Sequence, residues 1–347
     1  MYGSLGSVST QNFSRSLQSD RPICILGLGL IGGSVMRDLQ KAGRTVFGWN
    51  RSASTVEAAC ASGFDVSGDL TAVLQRAEQA QALLVLGVPM PALPPLVEAI
   101  GQHAPSCGIT DVTSVKSEVM ELMKAHGLSD RFVGGHPMAG TANSGWDATL
   151  EGLFDGAVWV VTHDCRPDKS DHEAFKKWTR IWCDVVSMAR ATGAAVVPAR
   201  AAKHDRAVAR ISHLPHVLAE TLALAGDRGG SLALTLAASS FRDGTRVAGT
   251  EPFLVRAMCE NNAPSLVDAL NETIALLQDA RASLSDGSGV ETLVEEGYAA
   301  RNRFEARAGR TKGDATNRPL FNVRPGVGDW IAQLEAAEQA GAEITII

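Results

Sequence analysis

PICILGLGLIGGSVMRDLQKA, residues 22–42, decides how the chain begins to fold. An apolar run leads into Gly27-x-Gly29-x-x-Gly32, and a helical pattern follows from Ile31 to Ala42. In a strand, turn and helix of this kind the first glycine permits the tight turn. The second lets the backbone approach a pyrophosphate, and the third lets helix and strand pack closely. The helix N-terminus then offers free N–H groups and a positive dipole end to phosphate. Gly27, Gly29 and Gly32, with Leu30 and Ile31 between them, therefore predict a dinucleotide site rather than a structural glycine turn.

Outward from this motif, short β-branched runs alternate with helical patterns from Arg21 to about Val197: TVFGWN, ALLVLGV, GITDV, RFVGG, VWVVT and AAVVP. That alternation predicts a Rossmann-type α/β domain over 21–198, built on a mainly parallel sheet with crossover helices. After Pro198 the strands stop. Helical periodicity runs through 199–225, 231–240, 252–260, 264–285 and 288–309, which predicts an all-helical domain over 199–310 entered directly from the last strand. Residues 1–20 read as a flexible extension. The tail, 311–347, contains PLFNVRPGVGDWIAQLEAAEQAGAEITII and reads as strand, helix and strand, with Asp329 as N-cap and Gly341 just past the helix end. It is too short for a regulatory domain of its own and reads as a packing appendage, onto a partner subunit or otherwise, in preference to an effector site.

Composition narrows the function. A chain of 347 residues that is 45% apolar and 20% charged is globular, and its net charge of −6 gives no basic surface for nucleic acid or an anionic membrane. A small molecule is the expected partner. The 6 cysteines form no C-x-x-C pair, which suits a reducing compartment and argues against a zinc ribbon. Prolines 89, 91, 94 and 95 interrupt the most apolar run, so it reads as a buried strand and turn rather than a membrane span. A cytoplasmic protein without a bound metal is expected.

The carboxyl ends of parallel strands line the ligand crevice, which places Val88 and Pro89 after one strand, and Thr113 and Ser114 after the next, beside the nicotinamide half. Ser114 also precedes the helical pattern VKSEVMELMKAHG, where it could serve as an N-cap. At the other end of the crevice NAD sites place an acid about 20 residues past the fingerprint, where it accepts bonds from the ribose hydroxyls. Here that residue is Asn50, followed by Arg51 and Ser52. A neutral amide removes repulsion of a 2′-phosphate, and a guanidinium can meet that phosphate with its planar fork. The expectation is NADP in preference to NAD.

GGHPMAGTANSGW at 134–146 puts His136 where the chain leaves the sheet at this same edge. A histidine side chain is of the type that can accept a hydroxyl proton while hydride leaves the same carbon, although a histidine satisfied within its loop would read the same. Together with GLGLIGGS at 27–34, DVTSVKS at 111–117, ISHLPH at 211–216 and FRDGTRVAGTEP at 241–252, this motif makes the chain resemble the prephenate/arogenate dehydrogenase family across roughly 22–285. The resemblance implies oxidative decarboxylation of prephenate or arogenate in tyrosine biosynthesis, with a helical domain that forms a homodimer. It implies that His136 bonds the substrate's ring hydroxyl, that Ser114 orients it, and that Arg246 grips a carboxylate. Thr141, Ser212, His213, His216 and Asp243 are implied on the substrate side.

On the residues alone, His213, His216 and Glu220 share one helix face, and Pro215 should kink that helix near Ile211 and Ser212. A metal site is the rival reading of the two histidines, but no other cluster completes its shell. For Arg246 the rival is an ion pair with Asp243, three residues earlier. Two positions depart from many relatives: Ala142 replaces an acid, and Val255 replaces a tryptophan. Rival functions are a 3-hydroxyacid dehydrogenase, a pyrroline carboxylate reductase, or a regulator that senses the dinucleotide without turnover. The histidine, SHLPH and Arg246 motifs argue against all three.

Overall fold

The computed structural model describes residues 20–141, 143–308 and 317–347. Ala142 and, apart from Asp20, the expected extension lie outside the described residues, as does the stretch 309–316. The chain divides into two compact units. One runs to Ala201 and takes in Pro319–Ile347, and the other is Ala202–Arg318.

In the first unit, β1 (Ile23–Leu26), β2 (Val46–Trp49), β3 (Val66–Ser67), β4 (Leu83–Leu86), β5 (Gly108–Asp111) and β6 (Phe132–Val133) form a 6-stranded sheet in the order β3-β2-β1-β4-β5-β6. Its pairs are parallel. The crossovers are α1 (Leu30–Lys41), α2 (Ala53–Ala61), α3 (Leu70–Gln79), α4 (Leu93–His103) and α5 (Ser117–Ala125). The strand order reverses between β1 and β4, and a crevice opens at their carboxyl ends. Successive residues of β1 serve opposite faces: Ile23 and Ile25 join one apolar cluster, Cys24 and Leu26 the other. A strand covered on both faces has no solvent side to mark with polar residues, which is why these runs are continuously apolar.

Instead of extending this sheet, the chain turns out of it at Gly134, whose carbonyl accepts from Thr162 N–H at 2.8 Å and whose N–H donates to Thr162 Oγ1 at 2.9 Å. RFVGG, read as one strand, is thereby divided. A second sheet follows, in which β7 (Gly135–Pro137) runs antiparallel to β8 (Val158–Thr162) and β8 parallel to β9 (Ala195–Ala199), with α6 (His172–Ala191) between the last two. The segment after the histidine motif is tied back to α1. Arg37 Nε donates to Thr149 Oγ1 at 2.7 Å, Leu150 N–H to Ser34 Oγ at 2.9 Å and Gly152 N–H to Asp38 Oδ1 at 2.6 Å. Ser34, Arg37 and Asp38 lie on one helix face by their spacing, so the dinucleotide helix also anchors the loop that follows His136.

The chain enters the second unit directly from β9 through α7 (Ala201–Val208), then a π-helical turn (Ala209–His213) and α8 (Leu214–Arg228). A π turn just before Pro215 is the expected kink, since proline leaves the carbonyl of residue 211 without its usual donor. Five further helices follow: α9 (Gly230–Leu236), α10 (Ser239–Thr245), α11 (Pro252–Glu260), α12 (Ala263–Asp286) and α13 (Glu291–Ala308). Among the described residues no helix is long and apolar enough to cross a membrane.

The tail forms β10 (Leu320–Val323), α14 (Trp330–Ala340) and β11 (Glu343–Ile346), with β10 parallel to β11 and Gly341 in the left-handed conformation at the helix end. Asp329 holds the N-cap position and its carboxylate pairs with Lys169 at 2.8 Å. The tail packs on its own first unit. Trp330 stacks on α6, with ring centroids 6.1 Å from Trp178 and 5.2 Å from Trp182, and Glu338 receives Arg200 at 2.7 Å.

Beneath this cover lies His163, fully buried, with neither ring nitrogen hydrogen-bonded. Burial pushes its pKa down to about 4; Glu338 opposes the shift, and Arg166 and Arg200 add to it. The unfolded chain therefore takes up this proton first. Stability tied to the neutral ring is complete above the unfolded pKa of about 6.5 and is lost as pH falls towards 4, by about 3 kcal/mol for a shift of this size. In calorimetry of wild type and His163→Leu between pH 7 and pH 4, the wild type is expected to lose stability more steeply on acidification. Equal slopes would show that His163 has no part in acid sensitivity.

Candidate functional site

The loop after β1 shows which glycines the protein itself requires. Gly27 has φ of 107°, and a Cβ there would stand 2.6 Å from the Gly87 carbonyl oxygen. A Cβ on Gly32 would come within 2.0 Å of the Gly27 carbonyl oxygen. Gly29 is different. Its φ of −77° suits any residue, and a Cβ would meet nothing within 4 Å. A dinucleotide fits this arrangement, because the one glycine not demanded by neighbouring protein atoms faces the space a pyrophosphate would take. α1 starts at the next residue with no side-chain cap and no acid in its first turn, so its N–H groups and dipole face an anion unopposed.

Gly27–Gly29, Trp49–Ser52 and Gly87–Pro89 line one groove of about 650 Å³. The structure thus brings together Asn50, Arg51, Ser52, Val88 and Pro89 with the first two glycines, while Leu30, Ile31 and Gly32 form the start of α1 behind them. Asn50 Oδ1 accepts the Leu28 N–H at 2.9 Å, which leaves its amide nitrogen as the free donor. Arg51 is exposed and makes no ion pair among the described residues. Ser52 caps α2: its Oγ accepts from Thr55 N–H at 3.4 Å and lies 2.8 Å from Ser54 Oγ.

The loop from β5 to α5 carries Thr113 and Ser114. α5 begins at Ser117 with Lys116 in the N-cap position, so the capping role read for Ser114 does not hold, and Ser114 stands half-buried in the loop. Thr113 is turned inward, its single hydroxyl proton shared within reach of the Asp111 carboxylate and the Val115 carbonyl, the latter at 2.9 Å. His136 lies half-buried on β7, opposite Val160 of β8. Thr141 is exposed, its Oγ1 accepting from Asn143 N–H at 3.2 Å.

The sequence reading passed over Asp111 and Lys116. Lys116 is 1% exposed, Asp111 0%, and the two form an ion pair. Lys116 Nζ also donates to Thr113 Oγ1 at 3.1 Å and to the Gly135 carbonyl at 2.7 Å, while the second Asp111 oxygen accepts the Gly135 N–H at 3.1 Å. A lysine in a loop normally reads as a solvated charge. Two signals were available: apolar Val112 and Val115 flank the loop, and the paired Gly134-Gly135 leaves room for something bulky against the backbone.

In the helical unit His216 lies in the first turn of α8, and His213 closes the π turn just before it. His213 is buried with Nδ1 3.2 Å from the Asn262 amide, which itself donates to the Asp205 carbonyl at 2.8 Å. Burial drives its pKa down to about 4, the neighbouring His204 adding to the effect while Asp205 opposes it. His216 is half-buried, its pKa lowered first by burial, with Glu220 opposing and Arg246 contributing. Arg246 is exposed at the start of a short 3-10 turn, Arg246–Gly249, and makes no ion pair with Asp243 among the described residues; Asp243 is exposed as well. Ser212 Oγ reaches Met258 Sδ at 3.7 Å, and Val255 is half-buried on α11. No group of three or more His, Cys, Asp or Glu among the described residues could hold a metal ion.

Comparison with known proteins agrees with this division. Residues 35–189 match the prephenate dehydrogenase nucleotide-binding domain, and residues 200–296 the prephenate dehydrogenase dimerization domain. A crystal structure of a candidate prephenate dehydrogenase from Corynebacterium glutamicum is 53% identical, covering 94% of this chain and 99% of that one with a TM-score of 0.89. The arogenate dehydrogenase of Synechocystis is 31% identical over 82% of this chain and 99% of its own, with a TM-score of 0.67. The prephenate dehydrogenase of Bacillus subtilis is 30% identical over 75% of this chain and 69% of its own. With both domains matched in order, this chain belongs to the prephenate dehydrogenase family of pyridine-nucleotide-dependent oxidoreductases.

Proposed function

We propose that the chain oxidatively decarboxylates prephenate, or its amino counterpart arogenate, with NADP as hydride acceptor, in the route to tyrosine. One observation carries the reading. His136, inside the family's histidine motif, follows a residue bonded to the carboxyl end of β5, and β5 neighbours β4, whose end lines the dinucleotide groove.

A bound nicotinamide supplies the hydride acceptor. As hydride leaves the hydroxyl-bearing ring carbon, the neutral His136 imidazole accepts the hydroxyl proton. The ring carboxylate departs as carbon dioxide, and the electron pair of the broken carbon–carbon bond completes the aromatic ring. Aromatisation makes the step downhill, so the protein's task is alignment and charge placement. Ser114 orients the hydroxyl. Arg246, exposed and free of Asp243, takes a substrate carboxylate through its two-pronged fork. Thr141, Ser212, His216 and Asp243 complete the substrate side. His213, buried against Asn262, supports the helices instead.

Relatives at 30% and 31% identity carry the prephenate and the arogenate names, so the keto or amino group of the substrate is a matter for assay. The helical unit leaves Leu232 and Leu236 71% exposed, Leu277 57% and Val294 62% in the single chain. Matching a dimerization domain, it supports a homodimer.

NADP is favoured over NAD by what the groove presents at the adenosine end. Asn50 offers a donor where an acid would offer an acceptor, Arg51 has no ion-pair partner among the described residues, and the N-terminus of α2 adds a positive dipole end.

Turnover followed at 340 nm with each cofactor and each substrate tests the whole reading. His136→Asn is expected to lower kcat by about 100-fold or more while cofactor affinity holds, since a positioned base contributes about 10²–10⁴. Near wild-type turnover would remove His136 from the mechanism. NADP is expected to exceed NAD by about tenfold or more in kcat/KM, with Arg51→Ala weakening NADP use and sparing NAD, as removal of a charged phosphate contact requires. Equal use of both cofactors by the wild type would overturn that preference. Gly29→Ala is expected to leave thermal stability unchanged, because its Cβ meets no protein atom, yet to weaken cofactor binding by about tenfold or more. Unaltered affinity would mean that the pyrophosphate lies elsewhere.

A further inference from the structure

Gly135 is held from two directions. Its strand pairs with β8 along one edge, and on the other side both of its backbone groups are taken by side chains from the end of β5 and the loop after it: the N–H by Asp111 at 3.1 Å, the carbonyl by Lys116 at 2.7 Å. That carbonyl belongs to the peptide group whose nitrogen is His136's own. We propose that the buried Asp111–Lys116 pair is a positioning device for His136, locking the peptide from which the imidazole projects to the loop that bears Thr113 and Ser114.

The pair is fully satisfied. The three donors of Lys116 meet Asp111, Thr113 and Gly135, and Asp111 also accepts from Gly135 N–H and from Thr113 N–H, the latter at 3.0 Å. Burying two charges is expensive, and apolar side chains of similar volume would fill the same space at less cost. What apolar side chains could not do is hold a carbonyl and an N–H of one residue at fixed positions. The two glycines are needed for this contact. A Cβ on Gly135 would lie 2.7 Å from the Asp111 carbonyl oxygen, and one on Gly134 would lie 2.9 Å from Thr162 Oγ1 and 3.3 Å from Lys116 Cδ. The consequence is mechanical. The loop at the carboxyl end of β5 and the strand carrying His136 behave as one piece, so the hydroxyl of Ser114 and the imidazole keep a constant relation.

The inference rests on the reading of His136 as proton acceptor, and its test separates the two. Lys116→Met leaves Asp111 as a lone buried charge, which can fail through stability alone, so the double variant Asp111→Asn with Lys116→Met is measured beside it. The amide can still accept from Gly135 N–H, but methionine cannot donate to the Gly135 carbonyl. The measurements are kcat, NADP affinity from quenching of tryptophan fluorescence, thermal stability, and the His136 ring resonance in substrate-free protein, assigned by its loss in His136→Asn. Both variants are expected to lose about 30-fold or more in kcat, within the effect of a small misplacement of a reacting group, with NADP affinity changed by less than about threefold. The double variant should regain the thermal stability lost in Lys116→Met without regaining kcat, and the ring resonance should move in both. A double variant with wild-type kcat and an unmoved resonance would overturn the proposal. If the wild type turned over neither substrate, the functional reading would fail, and the resonance would still decide: displaced in both variants it supports positioning, unmoved it refutes it.

Discussion

The first unit is built around one backbone contact, in which the carbonyl of Gly27 occupies the place of a side chain on Gly32 and lies against Gly87. The clearances of 2.0 Å and 2.6 Å leave no room for a methyl group, so β1, the start of α1 and the end of β4 can only meet at glycine. Everything at the nucleotide end follows from that contact. It brings α1 down onto the sheet, points its unpaired N–H groups at the crevice where the strand order reverses, and sets Gly29 facing open space. The same helix then carries Ser34, Arg37 and Asp38, whose bonds to residues 149–152 hold the loop that follows His136. Nucleotide helix and histidine loop are thus placed by one close packing of backbone on backbone.

A parallel sheet has to be covered on both faces, and this chain meets the requirement with residues far apart in sequence. One face is covered by α3 and α4, the other by α1 and α6, with Trp330 of the tail wedged against Trp178 and Trp182. Burying three tryptophans in one cluster removes a large apolar area from water, at roughly 25 cal/mol per Å². The tail therefore belongs to the core of the first unit, although the whole helical unit intervenes along the chain. Its acid Glu338, bonded to Arg200 where the chain leaves β9, ties that cover to the exit of the domain.

What could be read from sequence was what local chemistry dictates. The glycine fingerprint, the apolar strands, the helical second unit and the disturbance before Pro215 each depend on a few neighbouring residues, and each stands in the structure at its expected place. Contacts that depend on distant partners were not legible. RFVGG divides into two strands because Thr162, 28 residues on, captures Gly134. Ser114 does not cap because the Asp111–Lys116 pair delays the helix to Ser117. His213 is met by Asn262, 49 residues on, which no local pattern announces. Trp330 gives no sign in sequence that its partners lie on α6. The histidine motif was legible as a place for chemistry, whereas the charged pair that grips its backbone was hidden by the ordinary appearance of one aspartate and one lysine.

Asn50 lines the groove and at the same time holds the shape of the loop. Its Oδ1 is identified by its partner, since the Leu28 N–H can only donate, so the amide nitrogen must be the group left over. An aspartate could hold the same N–H with one oxygen and would turn a second, charged acceptor towards the ribose. The asparagine keeps the loop bond and turns a neutral donor there instead. One hydrogen bond therefore does two things: it fixes the backbone between the first two fingerprint glycines, and it sets the polarity of the surface next to Arg51. An acid at this position would add a negative charge to the groove without disturbing the Leu28 bond, and a guanidinium stands one residue further on.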